Sequence, residues 1–190
     1  MSDQFEPAPH PINEFARAMR AKATGLMDAE PSVHFTHFAT WARSTSNCAG
    51  AYISLLDDTQ QKILGVDFGD QEDRAVPEAD RSRTLSQYAQ LSYQPKIVPD
   101  LREHPILKSH PLVKGPAAWV FWAAFPLITK DGLVLGAMTV VDYKPQNLSQ
   151  DSIDELQLIA GKISDLINSI GVEAQHCLRD GNPVPMGSAE

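Results

Sequence analysis

The stretch WVFWAAFPLITKDGLVLGAMTVVD, residues 119–142, decides the architecture. In an extended chain Trp119, Phe121, Ala123 and Phe125 fall on one face and Val120, Trp122 and Ala124 on the other, so both faces are apolar. Asp131-Gly132 is a hairpin signal, and Leu133 to Val141 supplies the returning strand. Gly136 suits a bulge or a close approach of another backbone. A sheet buried on both sides at its centre follows.

Outward from this hairpin, Ala49 to Leu56 reads as a strand, Asp57 to Gln60 as a turn and Gln61 to Val66 as an antiparallel partner. Gly69 to Pro77 is charged and turn-like, Ala79 to Ser92 suits a helix, and Pro95 to Val98 is a short extended piece. Leu101 to Pro116 carries Pro105, Pro111 and Pro116, which forbid one regular helix and leave broken turns lying over the sheet. At the C-terminal side Ser149 caps a helix whose stripe is Ile153, Leu156, Ile159 or Ala160, Ile163, Leu166 or Ile167, and Ile170, with Gly171 as its end. At the other end the Pro-rich opening to Pro11 reads as loose. Ile12, Phe15, Met19, Ala23 and Leu26 then mark the apolar face of a helix ending near Glu30. Ser32 caps a second helix, lined by Phe35, Phe38, Ala39 and Ala42, that fades near Asn47. The division is an extension and helix over 1–31, a domain over 32–170 and a flexible tail over 171–190.

The 190 residues, 43% of them hydrophobic, are enough for one well-buried domain without a disulfide scaffold. A net charge of −8 disfavours nucleic acid and anionic membrane surfaces as partners. The apolar segments Ala117–Ile128 and Leu133–Val141 are too short to span a bilayer. The opening residues carry no basic and apolar signal pattern, which makes the expected location cytoplasmic. Cys48 and Cys177 stand alone and far apart, as incidental thiols do in a reducing compartment.

The element order, together with IVPDLREHPILKSHPLVKGPAAWVFWAAFPLITKDGLVLGAMTVVD and NLSQDSIDELQLIAGKISDLI, resembles the GAF domain family, small bacterial-type regulatory sensors. The resemblance runs from about Ser32 to Ile170. Its motif positions fall on Val98-Pro99-Asp100, on His110-Pro111-Leu112-Val113, on Val120 to Leu127, and on Gly132, Leu135, Gly136 and Asp142. It implies an α+β fold with a central antiparallel sheet whose five predicted strands, numbered along the chain, lie in the order 2-1-5-4-3. The terminal helices would cover one face, and the Ala79–Ser92 and Leu101–Pro116 segments would roof the other. The family's usual arginine before its aromatic pair is Val120 here, and Ala123-Ala124-Phe125 replaces alanine-glycine and a smaller residue. The resemblance therefore implies a filled, greasy pocket and argues against a phosphate-bearing ligand. Beneath the roof the candidate pocket residues are Tyr88, Asp100, Leu101, His104, His110, Phe121 and Trp122.

Catalytic chemistry is hard to assemble from these residues. Cyclic-nucleotide-binding relatives carry an asparagine-lysine pair that is missing, and Gln150 stands where they have a phenylalanine. Covalent bilin attachment and thiol reduction of methionine sulfoxide both require pocket cysteines, and Cys48 and Cys177 are poorly spaced for either. His34 and His37, three apart on a helix, lack a third metal ligand and read as surface histidines. No cofactor, metal or paired-carboxylate site is expected. The leading expectation is a non-catalytic signalling module acting through protein–protein contacts, including a homodimer through the first and last helices. Kinase, cyclase, phosphodiesterase or DNA-binding output would come from another chain. The alternatives are a sensor holding a small apolar ligand or chromophore non-covalently, and a thiol-dependent enzyme resembling the methionine sulfoxide reductases.

Overall fold

The computed structural model describes residues 5–70 and 79–180, with side chains through Ile170. The charged segment 71–78 and the end of the tail, 181–190, lie outside the described residues. Along the chain come α1 (Glu14–Ala23), α2 (Val33–Ser46), β1 (Gly50–Leu56), β2 (Gln60–Asp67), β3 (Ala79–Asp80) and β4 (Lys96–Val98). Then follow α3 (Pro111–Lys114), β5 (Phe121–Ile128), β6 (Val134–Asp142) and α4 (Gln150–Asp180). Three short 3-10 segments, Arg81–Arg83, Ser86–Leu91 and Leu107–Ser109, complete the described elements.

The strands form one antiparallel sheet in the order β3-β2-β1-β6-β5-β4. With the two-residue β3 set aside, this is the expected order of five. Residues 119–142 do build its centre: Trp122 pairs with Val141, Ala124 with Thr139 and Leu127 with Gly136. Thr129 N–H and the Leu133 carbonyl close the hairpin at 2.9 Å, and Gly132 takes φ 78° in the turn. Gly136 is an obligate small residue, because a Cβ there would collide with the Ser54 carbonyl oxygen on β1. The β1–β2 turn is held by Asp57, whose Oδ1 accepts from Thr59 N and Gln60 N, both at 2.8 Å.

The alternation of the strands sorts two cores. On one side Ile53, Phe121, Ala123, Phe125, Met138 and Val140 pack against Phe35 and Ala39 of α2 and Leu156, Ile159 and Ile163 of α4. On the other, Tyr52, Trp122, Ala124, Ala137 and Val141 meet Leu85, Tyr88, Leu101 and Leu107 of the roof. Among the described residues, no helix is long and apolar enough to cross a membrane.

Local expectations needed correction in five places. Residues 79–92 do not form an α-helix: Asp80 Oδ1 binds the Ser82 N–H, and Gln87 Nε2 donates to the Ser82 and Thr84 carbonyls. These side chains compete with helical bonding and leave 3-10 turns. The expected apolar stripe splits: Ile12 just before α1 and Phe15 and Met19 on it point outward, at 108%, 82% and 54% exposure, while Leu26 beyond the helix end is buried. The buried face is Arg17, Ala18 and Ala21, because the Arg17 guanidinium donates to the Leu56 and Asp57 carbonyls and pairs with Glu14. Trp119 leaves the Phe121 face: Ala118 takes φ 48° just before β5, and the indole joins the roof core, its ring 6.0 Å from that of Tyr52. Gly171 does not end α4, which runs on to Asp180, since a helical glycine costs only about 1 kcal/mol relative to alanine. Finally, the Pro-rich opening is not loose from Phe5 onward; it lies across the roof, with Ala8 6% exposed.

Candidate functional site

β1 and β6 set the floor of the site. Tyr52, Ser54, Ala137 and Thr139 project to the roof side, and the register places Tyr52 opposite Thr139 and Ser54 opposite Ala137. Trp122 and Ala124 extend this floor across β5. Ser86, from the 3-10 segment above, lies 3.4 Å from both the Tyr52 hydroxyl and the Ser54 Oγ. Those contacts are long for hydroxyl pairs.

Five polar side chains, Tyr52, Ser54, Ser86, Thr139 and Trp122, thus meet in an apolar layer without closing a network. Burial pushes the Tyr52 phenol upward in pKa, while Ser86, Thr139 and Trp122 around its oxygen act in the opposite direction. Thr139 Oγ1 and Trp122 Nε1 are nevertheless buried without a well-formed hydrogen bond. A buried hydroxyl or indole N–H normally finds a partner, and one that does not costs about 1–3 kcal/mol.

His110 is the second polar feature of the roof. It is fully buried, and its Nδ1 accepts from Leu112 N at 3.0 Å, capping α3, so the proton sits on Nε2. Nε2 has no well-formed partner. Burial lowers the imidazole pKa to about 4, with the Thr84 carbonyl opposing in part, so the ring is neutral at physiological pH.

The sequence candidates divide accordingly. Tyr88, Leu101, His110 and Trp122 do gather in or under the roof. Phe121 does not: its side chain lies on the opposite face, among the helices, because it is out of phase with Trp122. Asp100 and His104 serve the loop instead. Asp100 pairs with Arg102 at 2.6 Å, and His104 Nδ1 accepts from Ile106 N and Leu107 N. Tyr52, Ser86 and Thr139 escaped the sequence reading. The strands AYISLL and LGAMTVV carry hydroxyls within apolar runs, and the register sets Tyr52 of the first opposite Thr139 of the second, while Ser86 comes from a separate segment.

The remaining reactive groups among the described side chains lie elsewhere, and the Cys177 side chain lies outside the described residues. Cys48 belongs to the helix-side core, where burial pushes its thiol up to about 11, the opposite of an activated nucleophile. His34 and His37 line an outer groove of about 320 Å³ with Phe38, Trp41 and Leu166. A second groove, about 330 Å³, runs between the β5 edge and α4 past Gly161 and Ser164. Neither is under the roof. Among the described residues no group of three or more His, Cys, Asp or Glu side chains is placed to hold a metal.

Comparison with known proteins agrees with this architecture. The sequence profile of the GAF domain family matches residues 35–168. A cyclic di-GMP phosphodiesterase of Pseudomonas aeruginosa is 27% identical over 166 residues, spanning 85% of this chain but only 27% of that enzyme's length. The blue-light absorbing form of the Thermosynechococcus elongatus PixJ GAF domain superposes with a TM-score of 0.61 at 12% identity, over 88% of this chain and 95% of that one. The chromophore-binding domain of a bacteriophytochrome from R. palustris gives 0.55 at 16% identity, over 85% and 64%. A domain of a two-component sensor histidine kinase from Sinorhizobium meliloti gives 0.54 at 18%, over 75% and 93%.

Proposed function

Because this chain belongs to the GAF domain family, we propose that it is the sensory module of a bacterial signalling protein and takes a small ligand non-covalently between sheet and roof. Domains of this family are typically non-catalytic, so binding is the event that matters. The observation that carries the reading is the polar knot around the buried Tyr52 hydroxyl, in which Thr139 Oγ1 and Trp122 Nε1 are left without a well-formed hydrogen bond. Two of the structurally similar domains, a blue-light absorbing one and a chromophore-binding one, support the choice of a ligand at the level of fold.

The donors in the layer define the ligand's chemistry. Trp122 Nε1–H and the hydroxyls of Tyr52, Ser54, Ser86 and Thr139 favour a mostly apolar molecule with one or two acceptor oxygens or nitrogens. Trp122 and Tyr52 fill the layer in this structure, so entry requires their rotation together with a shift of the Ser86–Leu91 segment. A ligand drives that shift only by binding the shifted arrangement more tightly. With Cys48 on the other side of the sheet, this mode needs no covalent link.

Native mass spectrometry of protein purified from a bacterial source, with an absorption spectrum, tests the reading. A retained small-molecule mass that disappears in Thr139→Val is the expected result. A ligand-free domain that takes up no small molecule from a bacterial extract removes the proposal.

A second reading, contact with another copy of the chain, is favoured by α1. Ile12, Phe15 and Met19 form an outward apolar stripe that no described residue covers, and Leu158 of α4 is also outward. Surface patches of this kind mark interaction sites. Light scattering across the micromolar range should show a dimer that Phe15→Glu dissociates; a monomer throughout refutes it.

A further inference from the structure

The roof carries a cover that the sheet and helices do not supply. Phe5 stands edge-on to His110, with ring centroids 4.3 Å apart, and 6.4 Å from the Tyr88 ring. The Tyr88 hydroxyl donates to the Glu6 carbonyl at 2.6 Å, and the Ala8 N–H donates to Gln87 Oε1 at 2.9 Å. Arg81 donates to His10 Nδ1 at 2.8 Å, and the Pro11 carbonyl accepts the Glu14 N–H that opens α1. From Phe5 to Ala8 these polar contacts and ring contacts end on the roof, while His10 touches both Arg81 of the roof and Glu14 of α1, 3.5 Å away.

The composition of this segment fits a part that docks and lifts. Pro7 and Pro9 carry no N–H and hold the backbone extended, so few donors need partners in either position. The contacts that hold it are few, and the polar ones are buried or part-buried beneath the segment itself, so that lifting it exposes them together, as a local opening does before a domain unfolds. Its partners Tyr88 and Gln87 sit in the same 3-10 segment as Ser86, the roof member of the polar knot. A roof that shifts must therefore break or drag these bonds, and Pro11 passes the movement directly to α1.

We propose that residues Phe5–His10 form a displaceable strap that closes the roof over His110 and must lift for a small molecule to enter the layer below. This rests on the sensory reading above, whose ligand site it regulates. In that scheme strap and ligand oppose each other, and α1 with its outward stripe receives the result.

Carbethoxylation of histidines by diethyl pyrocarbonate, read by peptide mass spectrometry, tests it without any ligand. In the full chain exposed His34 and His37 should react while His110 is protected. In a chain lacking residues 1–10, and in Phe5→Ala, the His110 rate should rise about ten-fold with His34 and His37 unchanged. Amide exchange of the full chain should show Ala8 opening about a hundred-fold faster than Tyr52 in the central sheet. His110 protection that persists in Phe5→Ala with a native far-ultraviolet spectrum overturns the proposal, as does equal exchange at Ala8 and Tyr52. Phe5→Ala keeps the test valid if the truncated chain does not fold. Since no ligand enters these measurements, a ligand-free native domain would sink the sensory reading without altering their outcome.

Discussion

Replacing Thr139 with valine should stabilise this protein, which is the reverse of what a buried threonine in a satisfied core would do. Thr139 is fully buried in β6, flanked in register by Tyr52 on β1 and Ala124 on β5. Its Oγ1 has no well-formed hydrogen bond, so the folded state bears a desolvation cost of about 1–3 kcal/mol for the hydroxyl. The nearby Tyr52 oxygen recovers part of this, since Thr139 still favours the ionised phenol. Valine keeps the branched shape, which suits a central strand, and removes the cost. The net gain is about 1 kcal/mol, which raises Tm by roughly 2–4 °C in a domain of this size. Thermal and urea unfolding followed by circular dichroism would measure it, with Ala124→Ser as a control that adds a second unpaired hydroxyl and should lower Tm. A fall in Tm of similar size for Thr139→Val would refute the reasoning. It would mean that the hydroxyl is bonded in solution and that the knot is ordinary core. If the gain appears and ligand retention is lost in the same variant, the knot is a site held at the expense of stability.

Three further outcomes follow from the geometry. Gly136→Ala drives a methyl into the Ser54 carbonyl and should separate β6 from β1, destabilising by more than about 4 kcal/mol or preventing folding; a soluble variant with native melting contradicts the register. Arg17→Met strands the Leu56 and Asp57 carbonyls and leaves Glu14 to Arg81 alone at 3.6 Å among the described arginines, which should cost about 2–5 kcal/mol in urea unfolding, and a loss below about 1 kcal/mol would show the buried guanidinium to be dispensable. His110, with a folded pKa of about 4 against an ordinary 6.5, is neutral in the fold while the unfolded chain takes up a proton between those values. Stability is therefore complete above pH 6.5 and declines as pH falls toward 4. His110→Asn keeps an acceptor for the Leu112 N–H and should flatten this decline, and identical pH–Tm curves for the two proteins would exclude it.

The site was only partly legible beforehand. Tyr88, Leu101, His110 and Trp122 were placed under the roof from resemblance and segment order, and they are there. Phe121 lies on the helix side because it is out of phase with Trp122, and a motif position does not encode strand phase. Asp100 and His104 were misread because a loop's own N–H groups claim such side chains, a local competition that no pattern of neighbours announces. Tyr52, Ser86 and Thr139 come from three separated segments, and their lack of partners is a property of their meeting.

The family resemblance implied the strand order and the helix-covered face; by itself the sequence determined the long strands, the hairpin at their centre and the apolar stripes of α2 and α4. Those features rest on periodicity and turn chemistry, which act over a few residues and survive any arrangement of the rest. Only the tertiary structure decided which way α1 faces, because one guanidinium reaching the Leu56 and Asp57 carbonyls outweighs a stripe of Ile12, Phe15 and Met19. It also decided that the proline-rich opening is a strap, since its hydrogen bonds and ring contacts run to residues some 70 to 105 positions away. Interactions of that range depend on the fold already being formed, and no local pattern can carry them.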